Sequence, residues 1–460
     1  MSLQTIFAGI QSPNPFWLAS APPTNSSYQV LRAFEAGWGG AVWKTLGHEP
    51  VVNVSSRYGG IDYDGRKLVG LNNIELITDR TLETNLKEIR EVKRAFPDRA
   101  VVVSLMAETN QVSWHDLVKR TEDTGCDGIE LNFGCPHGMS ERGMGAAVGQ
   151  VPEYTRQVTE WVKEVARTPV LVKLTPNVTD IAYMGRAARE GGADAISLIN
   201  TINSITSIDI ETFEPRPSVA GRGSHGGYCG PAVKPIALNM VQNIAAEPDI
   251  SLPISGIGGI QSWQDSIEFM LLGATTVQVC TSVMHYGFRI IEHLVDGMER
   301  WMAEKGFSTP SDFIGLSVDK IGDWADLDLG YKIIADIDQA KCINCGLCYI
   351  ACEDGAHQSI LQIKVDEAEF AAHADNGGAH TIERSGRMQI LPGHGGDYAN
   401  RYEINGDTCV GCNLCSLVCP VSDCISMVEI ESDVPNVTWR EYQSKLAAGT
   451  IDRIEPPDHV

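Results

Sequence analysis

Over the first three hundred residues, short apolar runs alternate with amphipathic stretches. The strand-like runs are Phe16–Ala21, Ala41–Leu46, Ala100–Ala107, Gly128–Cys135, Val170–Pro176, Ala195–Thr201, Pro253–Gly259 and Thr276–Ser282. Each is nearly continuous in apolar character, as strands buried on both faces are. Helical patterns lie between them at Tyr28–Ala36, Arg80–Phe96, Pro152–Ala166, Thr179–Glu190, Ala232–Ala246 and Trp263–Leu272. Gly37 and Pro97 stand where helix stops are expected. Eight strands alternating with helices predict an α/β fold, a (β/α)8 TIM barrel, with an open doubly wound sheet as the rival.

The pattern changes near residue 310. Asp312–Ala335 has no strong period and reads as a linker that wraps or docks. The expected organisation is a barrel over 1–310, a linker over 311–340 and a C-terminal ferredoxin-like α+β domain over 341–460. A poorly patterned stretch at about 366–400 reads as a surface insert in that last domain.

The C-terminal domain is defined by two cysteine ladders. The first is Cys342, Cys345, Cys348 and Cys352, and the second is Cys409, Cys412, Cys415 and Cys419, followed by Pro420. Three cysteines at this spacing wrap one face of a [4Fe–4S] cubane, and the fourth ligates the other cluster. One cluster should therefore use Cys342, Cys345, Cys348 and Cys419, and the other Cys409, Cys412, Cys415 and Cys352. Zinc sites, the rival, more often use two separated pairs. Glu353 stands where the first ladder could carry proline, and Cys424 reads as a packed thiol outside the ladders.

Composition narrows the partners. A formal charge of −23 argues against nucleic acid and against an anionic membrane surface. No apolar run approaches the ~18 residues of a membrane span. The N-terminus shows no secretory pattern. Thirteen cysteines, eight of them in ladders, fit a reducing, cytoplasmic setting and not a disulfide framework.

Barrel chemistry is expected at the C-terminal strand ends, with phosphate bound after strands seven and eight. Those loops contain Gly256, Gly258 and Gly259, and Cys280 and Thr281. Their open backbone suits a phosphate. The Gly221, Gly223, Gly226 match follows a proline-rich stretch, not a strand, and reads as a mobile loop, not a dinucleotide fingerprint. Cys135 ends the fourth strand run, before a loop carrying Gly138, Gly143, Gly145 and Gly149. A thiol with an ordinary pKa near ~8.5 is protonated at neutral pH and can serve as a general acid. A small buried packing residue is the plainer alternative.

Several motifs occur in order: Ala19–Thr24, Trp43–Thr45, Asn73–Ile77, Glu130–Gly145, Lys173–Asp180, Asn200 with Thr201, Ser255–Gly259 and Gln278–Ser282. The two ladders close the series. Together they resemble the dihydropyrimidine dehydrogenase family, in the form of its bacterial catalytic subunit. The resemblance implies FMN in the barrel and reduction of the C5=C6 bond of uracil or thymine, with hydride to C6 and a proton from Cys135 to C5. It implies FMN contacts from Ala19, Ser20, Lys44, Thr45, Lys173 and Gly230, besides the glycines and Cys280 and Thr281. It implies pyrimidine contacts from Asn73, Asn132, Asn200 and Thr201, with His137 beside the acid. Carboxamides match the alternating acceptors and donors of a uracil edge. Gly134 stands where relatives are expected to carry serine. Longer members of the family also carry an N-terminal half with FAD and an NAD(P)H site. The resemblance therefore implies a separate FAD- and iron–sulfur-containing subunit that oxidises NAD(P)H. The catalytic chain would homodimerise within that hetero-oligomer. The alternatives are a dihydroorotate dehydrogenase-like FMN enzyme, or an electron-transfer subunit whose barrel is structural.

Overall fold

The computed structural model describes residues 2–63, 66–135, 143–355, 357–365 and 399–454. His137 and most of the expected insert lie outside them. The chain divides into two compact units, Met1–Ile321 and Gly322–Val460.

In the first unit, eight parallel strands close into a barrel. They are β1 (Phe16–Leu18), β2 (Gly40–Leu46), β3 (Ala100–Leu105), β4 (Gly128–Asn132), β5 (Val170–Lys173), β6 (Ala195–Leu198), β7 (Ile254–Ile257) and β8 (Ala274–Val279). Each pairs with its neighbour in sequence, and β8 returns to β1. All seven residues of β2 and all six of β3 are buried, which is why these strands read as unbroken apolar runs. The open-sheet rival is thereby excluded.

Helix starts follow local capping chemistry. Ser26, Thr81, Asn110, Asp180 and Ser262 each accept a backbone N–H from the first helical turn that follows. The helix Gln111–Glu122 was not among the expected elements, although Trp114, Leu117, Val118 and Thr121 bury one face at helical spacing.

One end of the barrel is plugged. An antiparallel hairpin, Thr5–Phe7 with Ile10–Ser12, covers the N-terminal strand ends. Phe7 meets Trp17 edge to face at 5.6 Å, and Trp17 Nε1 donates to Ser12 Oγ at 3.0 Å. The opposite end is widened by a four-stranded antiparallel sheet: Ile202–Ser204, Gly226–Cys229, Arg66–Asn73 and Tyr58–Tyr63, in that spatial order. The Gly221, Gly223, Gly226 segment is a loop as expected through Gly223, and only its last glycine belongs to this sheet. Val219 and Arg222 bridge in a tight turn, and Gly226 opens a strand.

Residues 313–321 strap onto the barrel's helices. Phe313 packs against Trp301 at 5.0 Å, and Gln242 Nε2 donates to the carbonyls of Val318 and Ile321.

The second unit contains β9 (Lys332–Ile337), β10 (Ile360–Val365), β11 (Ala399–Ile404) and β12 (Ile425–Ile430). The outer strands β9 and β12 pair antiparallel, as do the inner strands β10 and β11. The segment 311–340 is thus shared between a strap on the barrel and the first strand of this unit. Each half is a strand, a cysteine loop, a helix and a strand, with the helices at Leu347–Gly355 and Leu414–Val418. Both cysteine loops turn through left-handed residues, Asn344 and Gly346 in one, Gly411 and Asn413 in the other. Asparagine and glycine suit that conformation.

Candidate active site and cluster cavities

The main cavity of the first unit opens at the C-terminal strand ends. Ala19, Ser20, Lys44, Thr45, Asn73, Asn132, Cys135, Lys173, Asn200, Thr201, Gly230, Gly258, Gly259, Cys280 and Thr281 all line it. Gly256 does not. It lies in the barrel wall, where a Cβ would meet the Phe269 ring at 2.6 Å.

The polar groups form a connected chain. Thr45 Oγ1 lies 3.2 Å from Ser20 Oγ and 2.9 Å from Ser104 Oγ. Asn132 Nδ2 donates to Thr45 Oγ1 at 3.0 Å, and Asn200 Nδ2 donates to Asn132 Oδ1 at 2.9 Å. The Thr201 N–H donates to Asn200 Oδ1 at 2.8 Å. Strand alternation at the ends of β2 and β4 points Thr45 and Asn132 inward together. Asn73 comes from the antiparallel sheet, opposite Tyr58 and Gly227. Its Oδ1 accepts the Glu75 N–H at 2.5 Å, and its Nδ2 has no partner among the described residues.

Two buried lysines line the cavity. Lys44 Nζ pairs with Glu75, whose second oxygen accepts the Tyr58 hydroxyl. Arg57 approaches the same Glu75 oxygen as Lys44, at 3.5 Å. Burial and the bond to Glu75 push the Tyr58 phenol well above its usual range. Lys173 Nζ lies 3.7 Å from Glu130 Oε1 and makes no hydrogen bond among the described residues. Glu130 is fully buried; its Oε2 accepts from Ser197 Oγ at 2.8 Å, and its Oε1 accepts no hydrogen bond among the described residues and faces the Lys173 ammonium.

Sequence reading missed Glu75, Tyr58 and Glu130. The two glutamates were legible as charges inside otherwise apolar runs, Asn73–Ile77 and Gly128–Asn132. Tyr58 sits in a glycine-rich, largely exposed strand without an apolar period.

Cys135 follows β4 by three residues. Its carbonyl accepts the Ala146 N–H at 3.1 Å, and it packs beside Met106, Met144 and Ile77. Of the loop glycines, Gly143 and Gly145 take left-handed backbone. Gly149 has a packing role instead, since a Cβ there would overlap the Phe133 carbonyl. Gly134 is explained by close approach, because a Cβ would overlap the Asn200 side chain. Gly134→Ala is therefore expected to displace Asn200 and weaken binding of any ligand held by Asn200 about tenfold, within the ~1–3 kcal/mol typical of overpacking. Titration of the flavin absorbance checks this, and an unchanged affinity would show that Asn200 yields freely.

The cavity fits FMN on its own chemistry. Gly230, Gly258 and Gly259 all have positive φ, and a Cβ on Gly259 would sit 3.0 Å from the Gly230 carbonyl. Only bare backbone fits this cradle, which suits a phosphate beside the Thr281 hydroxyl. Lys173, buried with its hydrogen bonds unmet, suits an anionic flavin ring. Burial pushes the Cys280 thiol up to about 12, so it lines this site as a neutral group.

In the second unit, Cys342, Cys345, Cys348 and Cys419 line one small cavity. Cys352, Cys409, Cys412 and Cys415 line another. The fourth cysteine of each ladder thus lies with the first three of the other. The Ser359 N–H donates to Cys352 Sγ at 3.2 Å. Cys424, outside the ladders, is buried and also lines the first cavity, with its Sγ 3.7 Å from the Asp338 carbonyl.

A barrel with an FMN cradle, joined to a unit with two four-cysteine cavities, defines a flavin- and iron–sulfur-dependent oxidoreductase. Residues 2–302 match the dihydroorotate dehydrogenase family model, and 341–423 match the 4Fe-4S dicluster domain. The chain is 41% identical over 359 residues to the NAD-dependent dihydropyrimidine dehydrogenase subunit PreA of Escherichia coli, covering 78% of this chain and 87% of that protein. It is 43% identical to the chloroplastic dihydropyrimidine dehydrogenase (NADP(+)) of Arabidopsis thaliana, over 67% of this chain and 75% of that one. It is 38% identical to the catalytic subunit of dihydroorotate dehydrogenase B (NAD(+)) of Pyrococcus abyssi, over 69% of this chain and 99% of that one. The chain belongs to the dihydropyrimidine dehydrogenase family, in the form of its bacterial catalytic subunit, within the wider dihydroorotate dehydrogenase family. Its cofactors are FMN in the barrel and 4Fe–4S clusters in the second unit. No helix among the described residues is long and apolar enough to cross a membrane.

Proposed function

We propose that this chain reduces the C5=C6 bond of uracil and thymine to the 5,6-dihydropyrimidine. The observation that carries the reading is the convergence of Cys135, Asn73, Asn132, Asn200 and Thr201 in the cavity that also holds Lys44 and Lys173. The carboxamides bind and orient the pyrimidine through its alternating acceptors and donors. Bound FMN supplies a hydride for C6. Cys135 holds a proton on Sγ and delivers it to C5, so that one hydride and one proton complete the reduction. Lys173, with Glu130 beneath it, supplies positive charge at the flavin ring, and Lys44 and Thr45 contact it. Ala19, Ser20, Gly230, Gly258, Gly259, Cys280 and Thr281 complete the FMN site. Cys342, Cys345, Cys348 and Cys419 ligate one [4Fe–4S] cluster, and Cys352, Cys409, Cys412 and Cys415 the other.

Electrons enter from a partner subunit that oxidises NAD(P)H on FAD. The relatives named as subunits support a multi-subunit assembly. The chain homodimerises within that assembly and works in the cytoplasm.

The test is anaerobic reaction of the dithionite-reduced holoprotein with uracil, with dihydrouracil read by mass spectrometry. Stoichiometric dihydrouracil supports the reading. Turnover of orotate or dihydroorotate alone would replace it with a dihydroorotate dehydrogenase.

A further inference from the structure

We infer that Glu75 is a specificity-determining residue that bars carboxylate-bearing pyrimidines from this cavity. The inference rests on the pyrimidine reading above and adds which pyrimidines are refused.

A buried lysine in a pyrimidine cavity is a ready seat for a ligand carboxylate. Lys44 is such a residue, 4% exposed. Its ammonium is already held by Glu75, which is equally buried. The second Glu75 oxygen accepts the Tyr58 hydroxyl, and Arg57 stands 3.5 Å from the oxygen that holds Lys44. The other cavity lysine, Lys173, faces Glu130 at 3.7 Å. Each cavity lysine among the described residues is therefore answered by the chain's own carboxylate. Glu75 is also tied to the substrate face, because its N–H donates to Asn73 Oδ1 at 2.5 Å. A pyrimidine bound on the Asn73 amide lies beside that carboxylate.

Uracil and thymine are neutral and tolerate this neighbour. Orotate is uracil with a carboxylate on C6, and it would bring a second anion against Glu75, whose own carboxylate already holds Lys44 and Arg57. Like charges opposed at a site cost enough to weaken binding about 100-fold. Barrel similarity alone does not make this choice, since the chain is 41% identical to a dihydropyrimidine enzyme and 38% identical to a dihydroorotate enzyme.

The experiment titrates the FMN absorbance of the anaerobic holoprotein with uracil, orotate and orotamide. Orotamide carries a neutral carboxamide of nearly the same size as the carboxylate, so it separates charge from bulk. In the parent, orotamide is expected to bind within about tenfold of uracil, and orotate about 100-fold more weakly. Glu75→Gln should bring orotate to within about tenfold of uracil, and adding Lys44→Met should remove that gain. The inference is overturned if the parent refuses orotamide as strongly as orotate, which makes the exclusion steric. It is also overturned if Glu75→Gln binds uracil and gains nothing for orotate. If Glu75→Gln does not fold, the orotate and orotamide pair on the parent decides alone. Failure of the parent to bind uracil would strike the pyrimidine reading itself, a result distinct from either of these.

Discussion

Replacing Cys135 by alanine is expected to lower the turnover of uracil by about 10²–10⁴-fold, the range of a lost general acid. The KM should stay within a few-fold. The proposed pyrimidine contacts come from Asn73, Asn132, Asn200 and Thr201, and the Cys135 thiol packs beside Met106, Met144 and Ile77. The fold around it should also survive, because residue 135 is anchored through its backbone carbonyl to the Ala146 N–H. The carboxamides and lysines that line the cavity offer no replacement proton. Carboxamides are not acids at neutral pH, and Lys44 and Lys173 are each committed to a carboxylate. Cys135→Ser should recover little, since an aliphatic hydroxyl is a far weaker acid than a thiol. The parent's rate should fall in alkaline solution, the direction expected when a general acid loses its proton. The alanine variant should lack that limb. Stopped-flow reaction of reduced protein with uracil reads both effects. Full turnover in Cys135→Ala would remove the thiol from the proton step.

The parts of this architecture legible in the sequence are those whose physics is one-dimensional. Strands β2 and β3 are buried on both faces, so they appear as unbroken apolar runs whatever their neighbours. The cysteine ladders are legible because a cubane fixes ligand spacing along the chain. The antiparallel sheet at the cavity mouth is different. The strand Tyr58–Tyr63 buries only Gly59. It is held by ladder hydrogen bonds to Arg66–Asn73, so no apolar period announces it. That sheet carries Tyr58 into contact with Glu75, and the pair was lost with it. Gly134 shows the same limit. Its meaning is the closeness of Asn200, a residue 66 positions further along the sequence.

The second large effect concerns the exchange of cysteines between ladders. Cys352→Ala is expected to remove the cluster bound by Cys409, Cys412 and Cys415 and to leave the one in its own ladder. Cys419→Ala should do the reverse. Each variant should lose about half of its iron and acid-labile sulfide, because a four-cysteine site that loses a thiolate rarely retains its cubane. Single variants do not reveal the grouping, but pairs do. Cys345 and Cys419 line one cavity, and Cys352 lines the other. Changing Cys345 and Cys419 together should therefore cost no more iron than changing either one. Changing Cys345 and Cys352 together, two members of a single ladder, should remove both clusters. Ligation within ladders would produce the opposite pattern, with both clusters lost from the first pair and one from the second. The unit can survive this comparison. Its strands pair β9 with β12 and β10 with β11, so each half of the chain is held by the other through main-chain bonds that no cluster supplies. Emptying one cavity removes one site from the electron path and leaves those ladders in place. Partner-driven reduction of uracil should then fall in every variant, while single-turnover reduction of uracil by pre-reduced flavin persists.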